Sequence, residues 1–245
     1  MTPYNSIFNW SGGKDSSLAL HAILKDERYQ VTQLLTSVNS VHDRISMHGV
    51  RRALLEQQAK SIGLPLNILS LPEQPGMSEY NDLMSEKMTS LREEGNTHSV
   101  FGDIFLEDLR TYREDQLKSA GFEAVFPIWK RDTTELIYEF IEQGFKTITV
   151  CVKGDLLDKS FAGRIIDEQF VKDLPENVDP CGENGEFHTF TFDGPIYNHP
   201  IPFEIGETVF RAYKAPKNEK DICGISNEKN PDKMGFWFCD LIPSI

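Results

Sequence analysis

The chain has 245 residues, 39% hydrophobic and 26% charged, with 25 Lys plus Arg against 38 Asp plus Glu for a formal net charge of −13. That length buries a sizeable core, as one large domain or two smaller ones, and the composition excludes collagen-like, low-complexity and disordered classes. So acidic a balance repels polyanions and argues against binding bulk nucleic acid, because the densest basic points are only the pairs Arg51-Arg52 and Lys130-Arg131. No apolar run reaches the roughly 18 residues needed to span a membrane. No signal-peptide pattern precedes the first strand, and Cys151, Cys181, Cys223 and Cys239 lie far apart without a C-x-x-C pair. The expectation is a cytoplasmic protein with reduced cysteines and no membrane partner.

In chain order, an apolar run at residues 7–10 leads into Ser11-Gly12-Gly13-Lys14-Asp15-Ser16, and a helical pattern follows from Ser17 through Leu18, Leu20, His21, Ile23 and Leu24. Strand, glycine turn and helix bring backbone N–H groups and the positive end of a helix dipole to one point, where phosphate binds. Gly12 and Gly13 let the backbone approach an anion, Ser11 and Ser16 offer hydroxyls, and Lys14 supplies a mobile cation. Asp15 repels phosphate unless it holds a cation such as Mg²⁺ carried in with a nucleotide, or caps the helix. The spacing fits neither G-x-x-x-x-G-K-S/T nor G-x-G-x-x-G.

Residues 31–38 read as a buried strand, 39–49 as a polar loop, 50–62 as a helix closed by Gly63, and 66–71 as a strand. Residues 78–94 read as a helix stopped by Gly95, 99–105 as a strand, 107–120 as a helix, and 123–129 as a strand. The alternation implies parallel βαβ units: an α/β, Rossmann-like, five-stranded parallel sheet with helices on both faces, spanning residues 1–125. Ligands of such sheets sit beyond the carboxyl ends of strands, which makes residues 11–17, Ser37, Gly102 and Asp103 candidates. His48, in the polar loop, either contacts nucleotide or is solvated.

Asp132-Thr133-Thr134-Glu135 is a capping box opening a helix that stops at Gly144, and 146–153 reads as another strand. From Asp179 onward, short runs at 187–192, 201–205, 208–213 and 236–241 alternate with Pro and Gly, the mark of antiparallel β structure. Residues 214–233 read as an exposed loop, so residues 126–245 form a smaller α+β C-terminal domain. In the stretch Asp179-Pro180-Cys181-Gly182-Glu183-Asn184-Gly185-Glu186-Phe187-His188-Thr189-Phe190, Glu183 and Glu186 either line a pocket for a cation or amine, or are solvated acids of a β-turn. His188 is either a packed or a catalytic histidine. Phe126 and Trp129 either stack on substrate or belong to the core, and Lys130 with Arg131 is either an anion site or a solvated edge.

The six residues at 11–16 match the S-G-G-x-D-S signature of the PP-loop ATP pyrophosphatases, which cleave ATP to AMP and pyrophosphate while activating a substrate. Added to these are Gly102-Asp103-Ile104 with Arg110 and Glu114, Pro127-Ile128-Trp129, Cys181-Gly182-Glu183 and Gly185-Glu186. Matching in order from about residue 6 to 198, the chain resembles the diphthine–ammonia ligase family. The resemblance implies a HUP-type, adenine nucleotide α-hydrolase-like N-terminal domain and a C-terminal domain closing over a substrate carboxylate. It implies an AMP-forming carbon–nitrogen ligase in which ATP activates that carboxylate and ammonia displaces AMP to leave an amide.

By the same resemblance, Ser11, Gly12, Gly13, Lys14, Asp15 and Ser16 hold ATP and its Mg²⁺, with Asp15 toward the metal and Ser37, His48, Gly102 and Asp103 toward the nucleotide. Lys14, Asp15, Glu183 and Glu186 are the implied catalytic residues, and Arg110, Glu183, Glu186 and His188 face the acceptor. The family often carries a second arginine where this chain has Tyr112, with Arg113 next to it. Its C-G-E-G-G-E-Y-E-T pattern is changed here at Asn184 and His188. An imidazole in place of a carboxylate weakens cation binding and adds a group that titrates near neutral pH. The implied partners are ATP, a carboxylate-bearing acceptor (a small molecule or a modified protein side chain) and ammonia, and a homodimer is compatible with the sequence. Two alternatives stand beside this reading: a non-catalytic adenine-nucleotide-binding regulatory module, and a PP-loop enzyme acting on another acceptor such as tRNA.

Overall fold

The computed structural model describes residues 2–45, 48–73, 76–212 and 235–244. The expected loop at 214–233, Cys223 and the end of the expected strand at Tyr213 lie outside the described residues.

The first part of the chain runs β1 (Tyr4–Asn9), α1 (Lys14–Leu24), β2 (Tyr29–Asn39), β3 (Arg44–Ile45), α2 (Arg52–Ile62), β4 (Leu66–Leu71), α3 (Met77–Glu93), β5 (His98–Val100), α4 (Glu107–Ser119) and β6 (Glu123–Val125). Five of its strands are parallel, in the order β4-β2-β1-β5-β6. The order reverses between β1 and β5, and residues 10–13 leave β1 at that point, where open α/β sheets place ligands. The sixth strand was not expected: β2 runs on past its last pairing with β1 at Leu35, and the two-residue β3 pairs antiparallel with the overhang at Val38 and Asn39. Residues 40–43 thereby turn back along β2, with Asp43 N–H donating to Asn39 O at 2.9 Å.

The strands expected at 99–105 and 123–129 end early, at Val100 and Val125. Phe101 still donates to Val125 O, but the chain then departs from the ladder because Gly102 packs on the first turn of α1, where a Cβ would lie 2.9 Å from Ser16 N. Helix α1 starts at Lys14 rather than Ser17. Gly13 is its N-cap, and its carbonyl accepts from Ser17 N–H at 3.0 Å and from the hydroxyls of Ser16 (3.0 Å) and Ser17 (2.9 Å).

The second part comprises α5 (Thr133–Glu142), β7 (Lys146–Lys153), a 3₁₀ turn (Lys159–Phe161), α6 (Glu168–Asp173), β8 (Phe187–Asp193), β9 (Phe203–Ala212) and β10 (Gly235–Pro243). Asp132 caps α5 by accepting from Glu135 N–H at 2.9 Å. The four strands form an antiparallel sheet in the order β8-β7-β10-β9. The two runs expected at 201–205 and 208–213 are one strand, β9, whose pairing with β10 resumes beyond an irregularity at Gly206 and Glu207, between the pairs Ile205–Leu241 and Thr208–Cys239.

The two sheets share one hydrophobic core that includes Phe8, Leu20 and Leu54 from the first and Phe145, Ile148 and Phe190 from the second. Each such side chain contributes about 1.5–3 kcal/mol on full burial. Polar bonds cross the same boundary. Thr191 N–H donates to Gly12 O at 2.9 Å. The buried Gln58 amide donates to Gly12 O (3.0 Å) and Thr191 O (2.6 Å) while accepting from Trp10 Nε1 (3.0 Å). Among the described residues, no helix is long and apolar enough to cross a membrane.

Candidate active site

The glycine loop is fixed by its own polar groups. Gly12 has φ +78°, and a Cβ there would lie 2.8 Å from Gln58 Oε1, so only glycine fits the turn against the buried amide. The Ser11 and Ser16 hydroxyls are 2.9 Å apart, and Gly13 N–H donates to Ser11 Oγ at 3.3 Å. Lys14 N–H donates across the sheet boundary to Thr189 Oγ1 at 2.9 Å. Lys14 N–H is spent on that bond, and the N–H groups that follow it in the first turn of α1, which no earlier helical carbonyl can satisfy, lie at the carboxyl end of β1.

Lys14 is 3% exposed, and its Nζ lies 2.5 Å from Asp15 Oδ1. Burial works against the ammonium, but the Asp15 carboxylate, with Cys181 and Glu183 nearby, outweighs it and holds the lysine pKa above its usual value. Asp15 is itself raised by burial, against the pull of Lys14. The helix-cap alternative for Asp15 is overturned: Gly13 occupies the cap, and Asp15 sits in the first turn facing Lys14.

These residues line a cavity of about 530 Å³ together with Ser37, His48, Gly102, Asp103 and Glu183, a size suited to a small ligand. Asp103, raised by burial, is paired with Arg113, whose Nε is 2.7 Å from Oδ2. The expectation for Arg110 is overturned. It pairs with Glu114 at 2.7 Å, its guanidinium sits 4.9 Å from the Phe126 ring and 4.8 Å from the Trp129 ring, and it does not line the cavity. Phe126 and Trp129 therefore hold an arginine at the surface. Lys130 and Arg131 form edge ion pairs with Glu107 and Glu139, both at 2.6 Å.

The acidic turn divides its carboxylates. Asp179 Oδ1 accepts from Cys181 N–H (2.9 Å) and Glu183 N–H (3.2 Å). Glu186 is buried, and its Oε1 accepts from Asp179 N–H and Asn184 Nδ2, both at 3.1 Å. It does not line the cavity, so its expected role toward substrate is corrected to that of a turn-forming acid. Glu183 does line the cavity, and its Oε1 accepts from Ile104 N–H at 2.9 Å, tying the turn to the end of β5. Burial, reinforced by the charge of Asp15, pushes its pKa up to about 7.

His188 stacks on His48 with ring centroids 4.6 Å apart, and both rings line the cavity. His48 is thus not a solvated loop residue: its Nδ1 is 3.4 Å from Thr189 O. Burial lowers His48 to about 4 and His188 to about 3, so both are neutral at pH 7 and the expected near-neutral titration of His188 does not occur. Sequence reasoning missed Arg113, Thr189 and the α3 residues Tyr80 and Asn81, which also line the cavity. Thr189 lay within a singled-out stretch, whereas α3 carries no motif.

With the loop and the acidic turn on one cavity, the relatives become informative. The family model for the diphthamide synthase N-terminal domain matches residues 4–123, and that for the C-terminal domain matches residues 132–223. The chain belongs to the diphthamide synthase family. It is 29% identical over 140 residues to the diphthine–ammonia ligase of Danio rerio, covering 55% of this chain and 54% of that protein. To the diphthine–ammonia ligase of Homo sapiens it is 26% identical over 143 residues, covering 56% and 53%. The chain thus spans about half the length of these diphthamide synthase relatives. Among solved structures, the U34-tRNA thiolase NcsA from Methanococcus maripaludis aligns with a TM-score of 0.35 at 16% identity, over 57% of this chain and 56% of that one, too remote to bear on the diphthamide synthase assignment.

Among the described residues, no group of three or more His, Cys, Asp or Glu side chains could hold a metal by itself. The fit to Mg²⁺ is of another kind. Asp15, about one-third exposed beside the loop, can supply the single carboxylate that Mg²⁺ takes when substrate phosphates and water complete its shell.

Proposed function

We propose that the chain is an ATP-dependent, AMP-forming ligase of the diphthine–ammonia ligase type, with residues 1–125 receiving ATP and 126–245 the acceptor. The observation that supports the reading most strongly is the shared cavity: the loop at 11–16 and Glu183, some 170 residues apart in sequence, line one space.

In the reaction, a carboxylate oxygen of the acceptor bonds to the α-phosphorus as the bond from that phosphorus to the bridging oxygen breaks and pyrophosphate leaves. The nitrogen of ammonia then bonds to the acyl carbon as its bond to the AMP oxygen breaks. The chain's residues serve these steps by position. The α1 amides and the Lys14 ammonium face the charge that grows on the phosphates, and Ser11 and Ser16 hold the loop in shape before ligand arrives. Preorganised donors of this kind contribute several kcal/mol to a dry transition state. Asp15 would hold the Mg²⁺ carried in with ATP, and that ion would supply further charge neutralisation. Glu183, with its pKa near 7, takes the proton released as the nitrogen attacks.

A tRNA-thiolation reading has little support, because burial pushes the thiols of Cys151 and Cys181 up to about 12 and raises Cys239 as well, so these three are not poised as thiolates. Incubating the protein with ATP, Mg²⁺, ammonium and a panel of carboxylic acids tests the proposal. AMP and pyrophosphate formed only with an acceptor are expected, and ADP with phosphate contradicts it.

A further inference from the structure

His48 touches the glycine loop from a segment with no catalytic motif of its own. A Cβ on Gly13 would lie 3.4 Å from His48 Cε1, and His48 Nδ1 is 3.4 Å from the carbonyl oxygen of Thr189, the residue whose hydroxyl accepts from Lys14 N–H. The segment that carries His48 is closed at its base. Arg44 and Arg51 form an antiparallel bridge, Ile45 N–H donates to Val50 O at 2.8 Å, and Gly49 N–H donates to Ile45 O at 3.1 Å.

Strand β10 fastens this segment from the far side. Arg44 Nη1 donates both to Asp240 Oδ1 at 2.8 Å and to Gly49 O at 2.6 Å, so one guanidinium nitrogen holds the hairpin and the residue next to His48. Arg51 closes on the same carboxylate, with Nη2 2.5 Å from Oδ2 and Nε 3.2 Å from Oδ1. Gly49, at φ +71°, packs on the Phe238 ring of β10, where a Cβ would lie 3.3 Å from Cδ1. Burial would raise the Asp240 carboxyl, but its bonds to Arg51 and Arg44 outweigh that and hold it below the usual carboxylate range. Around these contacts Arg44 and Arg211 are matched by Glu207 and Asp240, a balanced set that fastens rather than recruits an ion.

We propose that Asp240 is a positioning residue for the nucleotide site, acting through Arg44 and Gly49 to hold His48 against the glycine loop although it lies outside the cavity that the loop lines. The inference rests on the ligase reading above and adds the β9–β10 hairpin to its ATP half. Partly exposed ion pairs contribute little to global stability, so the effect of this network is expected in the placement of His48. Contact alone does not establish coupling, whereas a double-mutant cycle does.

The test uses the full chain with Mg²⁺ and an ATP analogue carrying a methylene between the α- and β-phosphorus atoms, with affinity read by calorimetry. Asp240→Asn and Arg44→Met each weaken the analogue about fivefold or more, while Arg51→Met changes it less than about twofold because Arg44 keeps both of its bonds. In a His48→Ala background, Asp240→Asn adds less than about twofold. Without nucleotide, the ring-current shifts that His48 and His188 impose on each other across 4.6 Å, read in proton spectra, are lost in Asp240→Asn and kept in Arg51→Met. Equal weakening by Asp240→Asn with and without His48 overturns the positioning role, as does an unchanged affinity or an unchanged pair of ring shifts. If Asp240→Asn does not fold, Arg44→Met runs the same cycle. Failure of the wild-type chain to bind the analogue overturns the ligase reading instead, and the ring shifts then decide the placement of His48 by themselves.

Discussion

The glycine loop at 11–16 and the acidic turn at 179–188 are both short glycine-bearing turns at the mouth of one cavity, yet they use their polar groups in opposite ways. In the loop, serine hydroxyls turn inward to Gly13 O and to each other, which leaves the Lys14–Asp15 ion pair and the N–H groups that follow Lys14 in the first turn at the cavity. In the turn, all three carboxylates accept from backbone N–H groups, Asp179 and Glu186 from within the turn and Glu183 from Ile104, and only Glu183 lines the cavity. A pair of acids at spacing three therefore provides one group for chemistry and one for shape.

Substitutions can break that contrast or sharpen it. The largest effect is expected at the loop: Lys14→Met lowers acceptor-dependent pyrophosphate release about 10²–10³-fold, measured by a coupled pyrophosphate assay. Next, Glu183→Gln lowers kcat about 10²-fold and flattens the pH profile. The wild-type rate rises as pH increases through about 7, where Glu183 gains its basic form. The stability sign runs the other way. The folded pKa lies above the unfolded value, so the neutral carboxyl's contribution is full below about pH 4.5 and lost as pH rises through 7. Thermal melts should therefore show Glu183→Gln more favourable relative to wild type at pH 8 than at pH 5.

Glu186→Ala, by contrast, should cost about 1–3 kcal/mol in denaturant unfolding while kcat of the folded protein changes little. A kcat loss matching that of Glu183→Gln would erase the division between the two acids. The smallest effects separate two arginines. Arg113→Ala, which strips Asp103 of its partner, should raise KM for ATP about tenfold, since each 1.4 kcal/mol is a factor of ten. Arg110→Ala should leave that KM unchanged and cost no more than about 1 kcal/mol of stability.

Much of the fold was legible because the chain punctuates itself. Gly63, Gly95, Gly121 and Gly144 all adopt positive φ where helices stop, and Asp132 caps as its spacing predicts. The parallel sheet followed from alternation. Strand β3 was not legible, because two residues carry no periodicity and are held only by the overhang of β2. Gly206 reads as a break, yet β9 carries on past it, because pairing with β10 resumes at Thr208 beyond an irregularity in the ladder. At the site, Ser11 to Ser16, Ser37, Gly102, Asp103 and Glu183 were all visible from motif and strand ends, and all but Gly12 line the cavity. The choice between Arg110 and Arg113 was not, since the two lie three apart on α4 and the seating of that helix against β5 decides which one meets Asp103. Nor was the role of Glu186, which depends on how the turn closes on Asp179 N–H.

The central claim is that the glycine loop and the acidic turn form a single nucleotide site. Amide hydrogen exchange with and without Mg²⁺-ATP tests it most directly, needing no knowledge of the acceptor. Slowed exchange at residues 12–17 and at 182–189 together is the expected result. Slowing confined to 12–17, with 182–189 unchanged, contradicts the account.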